Sequence, residues 1–285
     1  MLLGSEPGGQ RRYRAVNRST SPAEWLVVTS PAEPVPVTLR SEPVYRPVIA
    51  MFLTIFRLLG LRVTVLGDEH VPARGGAVLA ITHFGYAEFA LAGAGVWWRR
   101  RRLVRFLATR VAWRHPVAGP LMRGMHHIPV ERAAGAGAYA RGVAGLRGGE
   151  LVGVFPEGMV SPSWTLGSFK TGAVRLAHEA QVPLIPVVIW GGHRVITKGR
   201  RPSLLRAHRV AVSITFGAAV WPSGDGVADT AALRQVMAEM VERAQASYPD
   251  QPRNEADRWW LPAHLGGTAP TPAKAERQDR SPATH

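Results

Sequence analysis

Six short apolar runs, each separated from the next by a stretch with helical spacing, constrain the fold of this 285-residue chain more than any other feature. The runs are bounded by glycine, proline or charge, which is typical of strands. The predicted strands are 62–67, 76–82, 105–109, 150–155, 183–189 and 210–217. The predicted helices between and after them are 87–97, 117–124, 136–147, 168–179 and 230–247. This alternation predicts an α/β fold with a mixed, mostly parallel sheet flanked by helices, in which ligands bind beyond the strand ends.

The two ends of the chain lack this patterning. Residues 1–43 are rich in Pro, Ser, Glu and Arg without a sustained period, and they lack the apolar region of a signal peptide. We therefore expect a disordered leader over 1–43 and a mostly disordered extension over 251–285. The folded domain is then 44–250, with its motif-bearing core at 76–192.

The most apolar stretch, 45–61, predicts an N-terminal amphipathic helix. Its uncharged run, Pro47 to Phe56, is too short to span a bilayer, which takes about 20 apolar residues. A narrow strip containing Arg46 and Arg57 lies along a broad apolar body. That pattern suits a helix lying in a membrane interface, and it also suits a helix buried against the core.

The charge balance indicates an anionic partner. The net charge is +15, from 35 Lys and Arg against 20 Asp and Glu. Most of the excess is arginine, whose planar fork matches phosphate oxygens, so nucleic acid, anionic lipid and phosphorylated substrates all fit. An arginine excess that merely follows nucleotide composition fits as well. Since there are no cysteines, disulfides, thiolate metal sites and a cysteine nucleophile are excluded.

The segment THFGYAEFA, 82–90, places His83 five residues before Glu88, just past a predicted strand and at the start of a helix. A carboxylate bonded to one ring nitrogen of a histidine leaves the other nitrogen as a proton acceptor. In isolation the pair is a weak motif, because a histidine satisfied by the backbone at a strand end gives the same pattern.

Three later segments carry further candidates. Arg132 follows a short apolar piece in IPVER and suits bidentate phosphate binding or a surface pair with Glu131. FPEG presents Glu157 and Gly158 at the end of a predicted strand, and Lys170 follows at a predicted helix start, where an anion binds readily. The prolines of VPLIPV predict a strand that is exposed on one side.

The order of these segments resembles the glycerophospholipid acyltransferase family, which includes the lysophosphatidate acyltransferases. The resemblance rests on His83-x4-Glu88, IPVER, FPEG with FKTG, and VPLIPV, which together span 82–187. It implies transfer of an acyl group from acyl-CoA or acyl carrier protein to a lysophospholipid hydroxyl.

The resemblance also implies roles for particular residues. His83 would be the general base and Glu88 its acid partner. Arg132 and Lys170 would bind the substrate phosphate, and Glu157 and Gly158 would shape the acceptor pocket. The thioester is a substrate in such a reaction, so no cofactor and no metal are expected.

Three departures from the family pattern bear on activity. Thr82 and Glu88 stand where the family has asparagine and aspartate, and Met159-Val160 replace a Thr-Arg pair. A missing phosphate-binding arginine bears on the substrate more than on the reaction. A catalytically degenerate, lipid-binding relative is therefore an alternative.

A tryptophan and arginine cluster, VWWRRRRLVR, predicts contact with an anionic membrane surface. Trp97 and Trp98 suit the headgroup level, and each arginine adds about 1 kcal/mol near anionic lipid. The predicted docking arginines are Arg99, Arg100, Arg101 and Arg102. With the helix at 45–61, they predict peripheral or monotopic binding at the cytoplasmic face of the plasma membrane. A solvated basic loop, or a nucleic-acid-binding protein, is the alternative, although no nucleic-acid-binding motif is present.

Overall fold

A seven-stranded sheet organises the chain in the computed structural model, which describes residues 42–109, 113–130 and 135–280. The strands are β1 (Arg62–Leu66), β2 (Ala77–Ile81), β3 (Val104–Thr109), β4 (Ile128–Val130), β5 (Leu151–Val154), β6 (Leu184–Trp190) and β7 (Ala211–Phe216). Their order across the sheet is β1-β7-β6-β2-β5-β3-β4. Neighbours from β6 to β4 are parallel, whereas β7 is antiparallel to β6 and parallel to β1. The predicted mixed, mostly parallel sheet is confirmed.

Helices cover both faces of this sheet. They are α1 (Tyr45–Leu58), α2 (Glu88–Arg100), α3 (Ala118–Gly124), α4 (Gly135–Arg147), α5 (Gly172–Ala180), α6 (Leu204–Ala207), α7 (Gly226–Ala246) and α8 (Pro272–Arg280). One core joins α4, α5 and α7 to one face of the sheet, and a second joins α1 and α2 to the other. Because both faces are covered, the central strands are apolar throughout rather than alternating, as in β2, whose five residues are all buried.

Strands β2, β5 and β6 are parallel, so their C-terminal ends lie in one row along the same side of the sheet. This row of strand ends is called here the carboxyl edge. Since β7 and β1 run the opposite way, their first residues, Ala211 and Arg62, lie at this edge too. Helix α2 starts at the carboxyl edge, after β2, and ends at the opposite edge, before β3.

The expectation that the strand of VPLIPV is exposed on one side is wrong, because all seven residues of β6 are buried. Proline is tolerated in this central strand because Pro186 lies where the pairing with β7 ends: the Pro186 carbonyl accepts the Gly217 N–H at 2.8 Å, and the regular register starts at Val187.

The C-terminal extension also differs from the prediction of a mostly disordered tail. A 3₁₀ helix, Glu255–Trp260, buries Trp259 and Trp260. The indole N–H of Trp164 donates to the Trp259 carbonyl at 3.0 Å, and His193 Nε2 lies 3.0 Å from the Trp260 carbonyl oxygen. Two adjacent tryptophans gain enough apolar contact to order a polar segment. Residues 1–41 and 281–285 lie outside the described residues.

We expect Trp260→Ala to lower the free energy of unfolding by about 3–5 kcal/mol, because the substitution leaves a cavity at a side chain that is 1% exposed. Urea unfolding followed by circular dichroism measures the change. Trp221→Ala is the matched control, since Trp221 is 37% exposed. Equal stability of the two variants would mean that the extension is not part of the cooperative core.

Helix α1 buries one side and exposes another. Its buried residues, Tyr45, Val48, Ile49 and Phe56, face the core and α3, whereas Met51, Ile55 and Leu58 remain 40–78% exposed. Over residues 42–109, 113–130 and 135–280, no helix combines the length and apolar character needed to cross a bilayer. The membrane association of α1 stays a prediction.

Candidate active site

His83 lies two residues after β2, on the loop that begins α2 at the carboxyl edge. Its imidazole stacks on Phe155 with ring centroids 4.2 Å apart, and its side chain is 19% exposed. The loop fits closely against the segment after β6: a Cβ added to Gly85 would lie 2.8 Å from His193 Cα and from the Ile196 carbonyl oxygen. Only glycine permits this approach, so Gly85 helps to fix the direction of the histidine.

Glu88, the first residue of α2, is fully buried beside His83. One of its carboxylate oxygens lies 3.4 Å from His83 Nδ1, and the other accepts the Phe84 N–H at 2.9 Å. The contact at Nδ1 leaves Nε2 as the nitrogen available to a substrate. The sequence-predicted pair is therefore brought together, in the arrangement that general base catalysis requires.

Glu157 holds two loops in place. It follows β5 and is 7% exposed. One of its oxygens accepts the backbone N–H of His83 at 3.0 Å, and the other accepts the N–H of Gly167 at 3.0 Å. The His83 carbonyl in turn accepts the Ser161 N–H at 2.8 Å. Both backbone groups of His83 are thus bonded to the segment after β5, which makes Glu157 a positioning residue for the histidine.

Burial sets the charge states at this site. It lowers the pKa of His83 to about 4, with Glu157 acting in the opposite direction. It raises the pKa of Glu88 well above its usual range, although the backbone N–H bonds oppose the shift. Burial likewise raises the pKa of Glu157 to about 7, against the two N–H groups that it accepts. A histidine of low pKa is uncharged near neutral pH and can accept a proton.

Lys170 and Gly158 lie side by side in front of these loops. Gly158 has φ of +75°, a backbone conformation that favours glycine. A Cβ added to it would lie 3.0 Å from Lys170 Nζ, the far end of a flexible side chain. Lys170 is exposed and precedes Thr171, the N-cap of α5. Lys170, predicted at the start of a helix, thus lies two residues before the first residue of α5. The ammonium group remains available to an anion.

The second position of the Met159-Val160 pair has no room for a cation, because Val160 is only 4% exposed. Met159, 48% exposed, lines a cleft of about 1000 Å³ that opens beside Glu157. Its walls come from the loop after β5, from α7 and from residues 264–275. The cleft gives a bulky substrate access to the edge of the site.

Arg132 lies outside the described residues, so its predicted phosphate contact is not observed. The predicted docking cluster lies at the end of α2, at the edge of the sheet opposite His83. Arg99 pairs with Asp68 at 2.9 Å, and Arg102 donates to the Pro72 and Gly149 carbonyls. Arg100 also bonds Asp68, Arg101 lies over the Trp97 ring, and Trp98 is 37% exposed. Membrane docking by this cluster stays a prediction, with Arg102 turned towards the chain itself.

Sequence reasoning missed two supports of the site. Thr82 Oγ1 accepts the Ile189 N–H at 3.0 Å, which ties the end of β2 to β6. On α7, Arg234 donates from Nη2 to the Leu166 carbonyl at 3.1 Å and from Nε to the Gly167 carbonyl at 2.8 Å. It thus braces both peptides of Gly167, whose N–H bonds Glu157. The only sequence signal for Thr82 was its departure from the family asparagine, and Arg234 had none.

The pH dependence of kcat/KM should report the His83–Glu88 pair. In the roles predicted for them, Glu88 is ionised and His83 is neutral in the active form. Burial raises the pKa of Glu88 and lowers that of His83 to about 4. The acid limb of the wild-type profile is therefore expected above pH 4, at the apparent pKa of the coupled His83–Glu88 pair. Glu88→Gln removes the higher ionisation and should move the limb towards 4. A limb unchanged by Glu88→Gln would contradict this assignment.

Glu88→Asp tests whether this site is fitted to the longer side chain. Aspartate withdraws the carboxylate by about 1.5 Å, one carbon–carbon bond, so it cannot keep both the His83 and the Phe84 contacts without a shift of α2. We expect kcat/KM to fall about tenfold or more, since misplacements near 1 Å are costly. Steady-state kinetics measure the change in kcat/KM. Glu239→Asp, at an exposed side chain of α7, is the control. Full activity of the aspartate variant would show that the extra methylene has no role.

Comparisons with known proteins find similar sequences and a similar fold. A family model described as Acyltransferase matches residues 62–190. Over 149 residues the chain is 29% identical to 1-acyl-sn-glycerol-3-phosphate acyltransferase of Bacillus subtilis (strain 168). This match covers 50% of this chain and 72% of that protein. A protein of the same name from Limnanthes alba is 30% identical over 147 residues, and the match covers 50% of each chain.

The fold is similar to that in the crystal structure of the 1-acyl-sn-glycerophosphate acyltransferase PlsC from Thermotoga maritima. The TM-score is 0.60, and the match covers 72% of this chain and 81% of that one. At 23% identity, this likeness shows the fold alone.

Proposed function

We propose a function from the premise that the chain belongs to the glycerophospholipid acyltransferase family and is an O-acyltransferase. It transfers a fatty acyl group from an acyl thioester to the free hydroxyl of a lysophospholipid, 1-acyl-sn-glycerol-3-phosphate, in phospholipid biosynthesis. The donor is acyl-CoA or acylated acyl carrier protein, and no cofactor or metal takes part. The observation that carries the proposal is the contact between His83 Nδ1 and Glu88, which leaves Nε2 outside the pair on a side chain that is 19% exposed.

The reaction then follows from ordinary acyl-transfer chemistry. His83 Nε2 takes the proton of the acceptor hydroxyl as its oxygen attacks the thioester carbonyl carbon. The carbon–sulfur bond breaks, and the thiolate recovers the proton from Nε2. Ionised Glu88 stabilises the transient imidazolium and holds Nδ1–H in place. The products are an ester and a free thiol.

The acceptor phosphate is assigned to two cations, Lys170 and Arg132. Lys170 Nζ lies beside Gly158, at a loop already fixed by Glu157. Arg132 follows β4 and supplies the second cation in the proposal. Val160 leaves the arginine of the family pattern without a replacement at its own position, so these two residues carry the phosphate.

Acyl transfer from labelled acyl-CoA to a panel of lysophospholipids tests this function. We expect product with lysophosphatidate, and Lys170→Ala should raise its KM more than it lowers kcat, since the lysine binds a group remote from the reacting hydroxyl. Arg147→Ala, at an exposed arginine in the last turn of α4, is the matched control. Absence of transfer to every acceptor, from either thioester donor, would refute the enzyme and favour a lipid-binding relative. The matched relatives give no support to the nucleic-acid alternative.

We also propose that the protein works at the cytoplasmic face of the plasma membrane as a peripheral or monotopic protein. Its acceptor is a membrane lipid, and α1 exposes Met51, Ile55 and Leu58 along one side. An exposed apolar row with flanking arginine suits the interfacial layer of a bilayer.

A further inference from the structure

The connection from β6 to β7 carries a basic and apolar surface that the reaction does not use. Residues 194–209 contain six Lys and Arg and no Asp or Glu. Within it, α6 exposes two adjacent leucines, Leu204 at 78% and Leu205 at 87%. Burial of a leucine side chain is worth about 1.5–3 kcal/mol, so the folded chain forgoes that stabilisation twice on a single turn.

The leucines are held outwards by the local structure. Ala207, on the other side of α6, is 3% exposed and anchors the turn to the protein. Ser203 caps the turn through its hydroxyl, which accepts the Arg206 N–H at 3.5 Å. The exposure of Leu204 and Leu205 thus belongs to a defined turn whose opposite side is packed.

Arginines surround the two leucines. Arg201, Arg206 and Arg209 are exposed, and none of them is in an ion pair with a carboxylate of the described residues. Arg200 is also exposed and lies over the Trp259 ring, 4.3 Å from its centroid. Asp257 also lines a small cavity with Leu205 and Arg206, but arginine dominates this segment. Positive charge beside an exposed apolar tip complements an anionic surface.

This surface adjoins both α1 and the loop of His83. The Arg209 N–H donates to the Leu59 carbonyl at 2.8 Å, directly after Leu58, which is 78% exposed. On the other side, Thr197 Oγ1 donates to the Phe84 carbonyl at 3.1 Å. The exposed leucines of α1 and α6 therefore lie at the carboxyl edge, on segments bonded to each other and to the catalytic loop.

We propose that α6, with Leu204, Leu205 and the surrounding Arg201, Arg206 and Arg209, inserts into the surface of an anionic bilayer as a second docking element beside α1. The proposal rests on the function proposed above, because a lipid acceptor must reach His83 from a membrane. Leu204 and Leu205 are 78% and 87% exposed, and their segment is bonded to the end of α1, which itself exposes apolar side chains. Two exposed apolar elements side by side suit a lipid surface better than an acidic protein.

Vesicle sedimentation tests the proposal with the full chain. Leu204→Ser with Leu205→Ser should reduce partitioning onto phosphatidylcholine vesicles containing phosphatidylglycerol by about tenfold or more. Arg201→Gln with Arg206→Gln should weaken partitioning onto the anionic vesicles in low salt and leave pure phosphatidylcholine vesicles unaffected. Trp221→Ser is the matched control, because Trp221 follows Val220, which pairs with the first residue of β6 at the opposite edge.

Activity towards a short-chain, monomeric lysophosphatidate without vesicles separates this proposal from the proposed function. The leucine variant should keep wild-type kcat/KM there and lose activity only with acceptor presented in vesicles. Inactivity of the wild type on every acceptor would refute the function, while vesicle partitioning would still report on docking. If the variant carrying Leu204→Ser and Leu205→Ser partitions onto the anionic vesicles as the wild type does, the proposed docking of α6 is overturned. Unchanged partitioning with a raised KM for acylated acyl carrier protein would also overturn it and would make the surface a protein-binding one.

Discussion

Replacing His83 with alanine should lower kcat/KM for acyl transfer by about 10²–10⁴-fold, the usual contribution of a general base. Nδ1 of this imidazole contacts Glu88, and the side chain is 19% exposed, so the proposal assigns the proton of the acceptor hydroxyl to Nε2. Most of the loss should fall on kcat, because the base acts in the transition state and contributes little to ground-state binding. Steady-state kinetics with labelled acyl-CoA and lysophosphatidate provide the measurement.

His178→Ala is the matched control for this variant. His178 is exposed on α5 and contacts the Pro222 carbonyl, away from the loop of His83. The control should keep wild-type kcat/KM. Activity in His83→Ala equal to that of His178→Ala would remove His83 from its assigned role, and attention would turn to another base at the carboxyl edge.

Glu157→Gln should lower kcat by about 100-fold while leaving the protein folded. Both carboxylate oxygens of Glu157 accept backbone N–H groups, from His83 and Gly167. A glutamine amide offers one acceptor and one donor, so one of these N–H groups must face another donor. The loss of that bond costs about 1–3 kcal/mol of stability and allows the His83 loop to shift, and shifts near 1 Å reduce rates by about 100-fold.

The pH profile distinguishes positioning from a simple loss of stability. Burial raises the pKa of Glu157 to about 7, so any inflection near pH 7 in the wild type that comes from Glu157 should disappear in Glu157→Gln. Glu239→Gln, at an exposed side chain of α7, is the control for the substitution itself. Unchanged kcat in Glu157→Gln would show that the bond from His83 N–H is dispensable.

The sheet was predictable from the sequence because its signals are local. Apolar runs bounded by glycine or proline predict six of the seven strands to within a few residues. They do not predict β4, which is only three residues long. The position of His83 beyond β2 and of Glu157 beyond β5 followed from the same runs.

The links between these loops were beyond sequence reasoning. The bond from His83 N–H to Glu157 joins positions 74 residues apart, and no spacing rule reports such a pairing. The docking of Trp259 and Trp260 has no local signal either, because their partners Trp164 and His193 lie far away in the sequence. Tertiary packing decided the structure of that segment.

The docking of Trp259 and Trp260 has a consequence for the order in which the molecule assembles during its synthesis. Trp164 belongs to the loop after β5 that carries Glu157, and His193 packs against Phe84, the neighbour of His83. A nascent chain can pair β2, β5 and β6 as soon as they leave the ribosome, yet the indole and imidazole surfaces next to both loops stay uncovered until residue 260 emerges. Catalytic competence should therefore be among the last properties that the growing polypeptide acquires. Nascent chains stalled before residue 260 emerges should expose an aggregation-prone aromatic surface.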